Sequence, residues 1–193
     1  MNESGCVRNV GRWISALLLL AAMETARAQS LDLPRLMQLL AAVPATEVAF
    51  TEKKFSSLLA APVVSSGKLH YRRPDIVEKN IESPRKETYR FAGEELVMTR
   101  DGKERRIPLS SQPLLAAFAA SLRGVLGGDI VLLRRHYELS LQGDEASWRL
   151  DMTPLDEETL KFVMRVTVSG RAGRVGKIEV RESSGDHSVL QVR

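Results

Sequence analysis

Across residues 31–43 the apolar side chains Leu36, Leu39, Leu40 and Val43 recur at helical spacing, with Asp32 placed to cap the first turn and Pro34 tolerated inside it. The pattern predicts an amphipathic helix that stops before Pro44. The period then changes to two. Over 47–55, Val48, Phe50 and Glu52 alternate with Ala49, Thr51 and Lys53, which predicts a strand. Residues 67–73 alternate likewise, with Leu69, Tyr71 and Arg73 on one face and Lys68, His70 and Arg72 on the other, until Pro74 interrupts the ladder. Shorter strands are predicted over 76–82 and 87–91. Asp101-Gly102 then turns 95–100 back onto 103–109 as a hairpin.

A second helix is expected after that hairpin. Ser111 caps it, Pro113 sits in its first turn, Leu115, Phe118, Leu122 and Val125 form one stripe, and Gly127-Gly128 ends it. It is rich in alanine and nearly apolar all round. Five more alternating segments follow, over 137–142, 147–153, 160–169, 175–182 and 188–192, separated by Gly, Asp or Pro. The whole reads as a meander of roughly ten antiparallel strands, with one helix before it and one inserted midway, and without the rhythm of a parallel sheet. The class is mainly β with α, an α+β fold. No linker or internal repeat divides it.

The first residues add a compartment. Arg8 and Arg12 precede the apolar run 13–23, and Ala26-Arg27-Ala28 supplies the small residues of a cleavage site, so residues 1–28 are expected to be a signal peptide. As a helix that run reaches only about 16 Å, whereas a membrane span needs roughly 20 residues. Cys6 is the single cysteine and falls within this segment. The chain from Gln29 is therefore expected to lack disulfides, thiolate nucleophiles and thiolate-bound metal. Because Gln29 follows Ala28 where a lipoprotein would place cysteine, no lipid anchor is expected. Residues 29–193 suit a single domain. The net charge of +4 falls to about +3 once three arginines and two glutamates leave with the leader. That suits contact with anionic membrane surfaces and is too weak to argue for nucleic acid.

Candidate reactive groups are few. His70, His136 and His187 have no metal-ligand spacing and read as surface residues, so no metal is expected. Asp186-His187-Ser188 spells a catalytic trio, but successive strand residues point to opposite faces and no Gly-x-Ser-x-Gly elbow accompanies it. Glu94-Glu95 and Asp156-Glu157-Glu158 adjoin turn signals and read as solvated loop carboxylates. The basic clusters at 103–106 and 134–136 read as solvated faces, with lipid headgroups or a docking partner as the other possibility. No catalytic residue and no cofactor is assigned.

The stretch Val48-Ala49-Phe50-Thr51-Glu52-Lys53, followed by Ser66-Gly67-Lys68-Leu69-His70-Tyr71-Arg72-Arg73-Pro74, resembles the start of the periplasmic outer-membrane lipoprotein carriers, the LolA-like family. That family pairs an aromatic-Thr-Gln-Lys strand with Gly-x-Leu-x-x-x-Arg-Pro. The order of elements continues the likeness through Trp148 and Thr153-Pro154. Tyr71, Glu78-Lys79 and an end at Arg193 just after the last strand depart from the usual pattern, so a divergent member is expected.

The resemblance implies an incomplete antiparallel barrel, a half-barrel, whose helices form a lid over a concave apolar face. It implies that Phe50, Leu69 and Tyr71 line that face under Leu115, Phe118 and Leu122 of the second helix, with Met98 and Trp148 lining the cavity or plugging it. It further implies that Arg73 is a latch that hydrogen-bonds the lid; without the motif, Arg73 reads as a surface arginine beside Arg72. A guanidinium has five donors and no acceptor, so carbonyls of the lid would suit it. The function implied is a non-enzymatic, monomeric carrier in the periplasm of a Gram-negative bacterium. It would take lipoprotein acyl chains from an inner-membrane ATP-driven transporter to an outer-membrane receptor. Carriage of another envelope lipid, such as a glycolipid or polyene, and a lipid-responsive sensor or scaffold are the alternatives.

Overall fold

The computed structural model describes residues 31–44 and 46–193; the expected signal peptide, with Cys6, lies outside the described residues. Helix α1 spans Leu33–Ala41, and the Asp32 carboxylate accepts from the Arg35 amide at 2.8 Å, as a cap should. Six strands follow: β1 Thr46–Phe55, β2 Val63–Arg72, β3 Ile76–Ser83, β4 Glu87–Ala92, β5 Glu95–Arg100 and β6 Lys103–Pro108. A 3₁₀ turn at Leu109–Ser111 leads to α2 Pro113–Gly127 and α3 Ile130–His136. The remainder is β7 Tyr137–Asp144, β8 Ser147–Pro154, a single-turn α4 Glu157–Leu160, β9 Val163–Arg171, β10 Arg174–Glu182 and β11 His187–Val192.

All eleven strands form one antiparallel sheet in the order β6-β5-β4-β3-β2-β1-β11-β10-β9-β8-β7. Nine of its ten pairings join strands that are neighbours in sequence. The exception is β1 with β11, from Phe50 opposite Val192 to Phe55 opposite His187, which brings the first and last strands together at the middle of the sheet. The edges, β6 and β7, do not pair with each other; the sheet is an open half-barrel, and α2 and α3 form the connection between its edges.

Register sorts the side chains by face. Phe50, Leu69, Tyr71, Val77, Phe91, Leu96, Met98, Leu150, Val168 and Leu190 share the concave side. The convex side is polar: Lys68 meets Glu47 at 2.6 Å, His70 lies 3.3 Å from the same carboxylate, and Arg149 pairs with Asp151 at 3.0 Å. The concave side buries two separate clusters. One gathers Leu36, Met37 and Leu40 of α1, Leu133 of α3 and Trp148, Leu150, Met152, Val166 and Val168 of the sheet. The other packs Leu115, Phe118, Leu122 and Leu126 of α2 onto Tyr71, Val77, Phe91 and Leu96, with the Phe91 and Phe118 rings tilted at 5.8 Å.

Several expectations change here. Ser111 does not cap α2; its hydroxyl donates to the Pro108 carbonyl at 2.8 Å inside the 3₁₀ turn, and Gln112 holds the cap position. Val125 leaves the expected stripe, since Leu115, Phe118 and Leu122 face one cluster while Ala117 and Val125 face the other. A helix buried on two sides needs apolar residues all round. The segment 160–169 divides into α4 and β9. Asp156, expected in a solvated loop, caps α4 by accepting from both the amide and the hydroxyl of Thr159 at 2.8 Å. Helix α3 was not expected. No helix among the described residues is long and apolar enough to cross a membrane.

Candidate functional site

The two clusters sit on the flanks of the concave face and leave its centre open. Between them lies a cavity of about 1130 Å³, larger than the roughly 300–1,000 Å³ of ordinary small-molecule pockets. Its floor comes from the central strands, with Val48 of β1, Leu69 of β2, Ile178 and Val180 of β10 and Leu190 and Val192 of β11. Leu40 and Val43 close it from the α1 side, and Leu115, Phe118, Leu122 and Leu126 of α2 form its roof. The trough follows from topology. The first and last strands supply the middle of the sheet, whereas α2 and α3 are tied through short connections to its edge strands, β6 and β7.

Arg73 stands at the edge of this roof. It donates to the carbonyls of Ala41, the last residue of α1, and of Val43, the latter at 3.0 Å. The Ala41 carbonyl is one of the last of its helix, without a partner inside it and at the negative end of its dipole. The guanidinium also lies 5.8 Å from the Tyr71 ring centroid. Burial raises the Tyr71 phenol above its ordinary range, and its hydroxyl donates to the Pro74 carbonyl at 3.3 Å.

A second arginine ties down the other lid helix. Arg123, the only charged residue of α2, donates from Nε to the Asp75 carbonyl at 3.0 Å and from an Nη to the Gly93 carbonyl at 2.5 Å. The Asp75 carboxylate accepts from the Gly93 amide at 3.0 Å, so the turns after β2 and β4 present both carbonyls together. Sequence reasoning missed Arg123, although a lone cation in PLLAAFAASLRGVLG was a visible signal. The lid helices also touch one another. Gly128, the left-handed cap of α2 at φ +69°, lies so close to α1 that a Cβ there would run into the Met37 carbonyl.

Of the residues singled out as lipid-binding, Leu69, Tyr71, Met98, Leu115, Phe118 and Leu122 all line the cavity. Phe50 and Trp148 do not. Phe50 is buried on the concave face beneath Lys79, whose ammonium lies 5.2 Å from its ring centroid. Trp148 sits in the core. Gly170 opposite it on β9 leaves room for the indole, whose N–H donates to the Ala172 carbonyl at 2.8 Å. His187 stacks on Phe55 at 4.5 Å and Asp186 accepts from the Ser57 amide. Among the described residues no group of His, Cys, Asp and Glu is placed to hold a metal ion.

The class these features define is an α+β half-barrel with an apolar trough beneath a helical lid. A family model, the outer membrane lipoprotein carrier protein LolA-like family, matches residues 25–191, and the chain belongs to that family as a divergent member. Similar solved structures include a LolA superfamily protein from Nitrosomonas europaea, at 14% identity over 83% of this chain and 89% of that one, with a TM-score of 0.47. A DUF1329 family protein from Desulfovibrio piger is 15% identical over 84% and 89% of the two chains, with a TM-score of 0.44. The lipoprotein LppX of Mycobacterium tuberculosis is 11% identical over 83% and 93%, with a TM-score of 0.41. A comparison with curated protein sequences gives no match.

Proposed function

We propose that this protein is a periplasmic carrier that holds the acyl chains of a lipoprotein or related envelope lipid and moves them toward the outer membrane. The observation that carries the reading is the largely apolar trough beneath the lid in a chain of the lipoprotein-carrier family. An acyl chain of about 16 carbons costs on the order of 12 kcal/mol to expose to water, at roughly 0.8 kcal/mol per CH₂. Aliphatic and aromatic walls offset that cost. They supply no work of extraction, which the family resemblance assigns to an ATP-driven inner-membrane donor, with an outer-membrane receptor as acceptor. The expected leader over residues 1–28 supports export to the space between the two.

In this reading the lid has two states. Arg73 and Arg123 favour the closed one, acyl burial favours the open one, and the balance keeps binding reversible. Native mass spectrometry of protein taken directly from the periplasm is the test, with added mass in the range of acylated species expected. Recovery of the bare chain under conditions that keep lipid bound, together with failure of added acyl compounds to displace a cavity dye, would overturn it.

A further inference from the structure

The cavity wall is not wholly apolar: besides charged residues such as Arg174 and Arg193, it holds an ion pair. Glu52 of β1 and Lys79 of β3 both face the trough and form an ion pair of 2.6 Å, each side chain only about a quarter exposed. They stand on alternate strands, and the position between them in register is Gly67, which has no side chain to separate them. The Ser65 hydroxyl donates to the same Glu52 oxygen at 3.3 Å. The Lys79 ammonium lies over the Phe50 ring.

A pair that served only to join strands would cost less on the convex face, where Glu47 and Lys68 already meet in water. Inside the trough it is flanked by Val48, Leu69 and Leu190, and it loses its remaining water whenever an acyl chain fills the space. Both bonds to Glu52 converge on one oxygen, Oε2. Among the described residues none bonds Oε1, and the ammonium has a donor to spare after Glu52 and the Phe50 face are satisfied. An acceptor and a donor are thus offered side by side to whatever occupies the cavity.

Resting on the carrier reading, we propose that Glu52 and Lys79 form a head-group site. It selects amphiphiles whose polar end both donates and accepts hydrogen bonds and carries no net charge. A fatty acid anion would bring a second negative charge beside Glu52 and no donor for it, and an ester without donors would leave Glu52 Oε1 without a partner. A glycerol or sugar hydroxyl pair and a zwitterionic phosphoethanolamine both complete the pair; these are the two sources of the shared chemistry.

The test is displacement of a cavity dye by compounds with the same 16-carbon chain: monopalmitoyl glycerol, palmitoyl lysophosphatidylethanolamine, palmitate and methyl palmitate. The wild-type protein is expected to bind the first two at least about tenfold more tightly than the last two, and the tighter of the two names the source. The double variant Glu52→Leu/Lys79→Met, checked for fold by circular dichroism, should bind methyl palmitate as well as either. The exchanged pair, Glu52→Lys/Lys79→Glu, should recover the preference. Equal binding of all four by wild type, or an unchanged ranking in the double variant, overturns the head-group site and leaves the carrier reading standing. Failure of every compound to displace the dye overturns both.

Discussion

Arg73 reaches from the end of β2 to the end of α1, and Arg123 reaches from α2 back to the turns after β2 and β4. Each arginine therefore joins the lid to the barrel through backbone carbonyls, which no side-chain substitution in the acceptor can remove. A hydrogen bond from a charged donor contributes about 1.5–3 kcal/mol when well sheltered and less in water. Arg73→Leu is accordingly expected to fold normally and to release a fluorescent acyl probe several-fold more slowly, in stopped-flow transfer to vesicles; release at the wild-type rate would remove the latch role. Arg123→Met should shift retention in the same direction. Gly128→Ala acts differently, by setting a Cβ at φ +69° against the Met37 carbonyl. It should lower stability by about 2 kcal/mol or more in urea denaturation, because the left-handed conformation alone costs about 1–2 kcal/mol for a residue with a side chain.

At the scale of elements, the strands with one wet face were legible and those with two were not. β1 and the second half of β2 alternate cleanly, whereas the first half of β2, Val63-Val64-Ser65-Ser66, carries no alternation because it has no buried side. Helix α3 escaped notice because IVLLRRH is short and begins like a strand; Asp129 capping it and basic residues in its last turn are the helical signals it does carry. Its packing explains a titration. Tyr137, where α3 passes into β7, donates to the Ala117 carbonyl of α2 at 2.8 Å, and burial pushes its phenol up to about 12, partly opposed by the Ser121 hydroxyl. The folded value lies above the unfolded one near 10, so the neutral phenol's contribution of about 2–3 kcal/mol is complete below pH 10 and is lost as pH rises to 12. Tyr137→Phe should cost about 1 kcal/mol at neutral pH. Thermal melts across the pH range should show its deficit vanish and then reverse between pH 10 and 12; a constant deficit would contradict this.

At the scale of the whole molecule, the half-barrel and its lid followed from the order of elements and the resemblance at 48–74. The trough's position did not. It depends on the pairing of β1 with β11, a contact between the first and last strands that no local pattern encodes, and on the way the helices favour the flanks. That pairing is also why Trp148 is core: it lies on a flank, among residues already covered by α1 and α3. Cargo entering between lid and sheet is expected to spread the free edges. Spin labels at Glu104 on β6 and Ser140 on β7 should report a longer mean separation with monopalmitoyl glycerol bound, and an unchanged distribution would argue for a rigid trough.

The edge strands β6 and β7 are consecutive in sequence, and what joins them is the lid itself. The molecule is in this respect a bow, with the sheet as its curved limb and α2 and α3 as its string. One helical turn added to the string would lengthen it by about 5.4 Å and relax the draw without disturbing a single strand register. Capacity for cargo can therefore drift through insertions and deletions in one connection, while the eleven-strand frame is inherited unchanged.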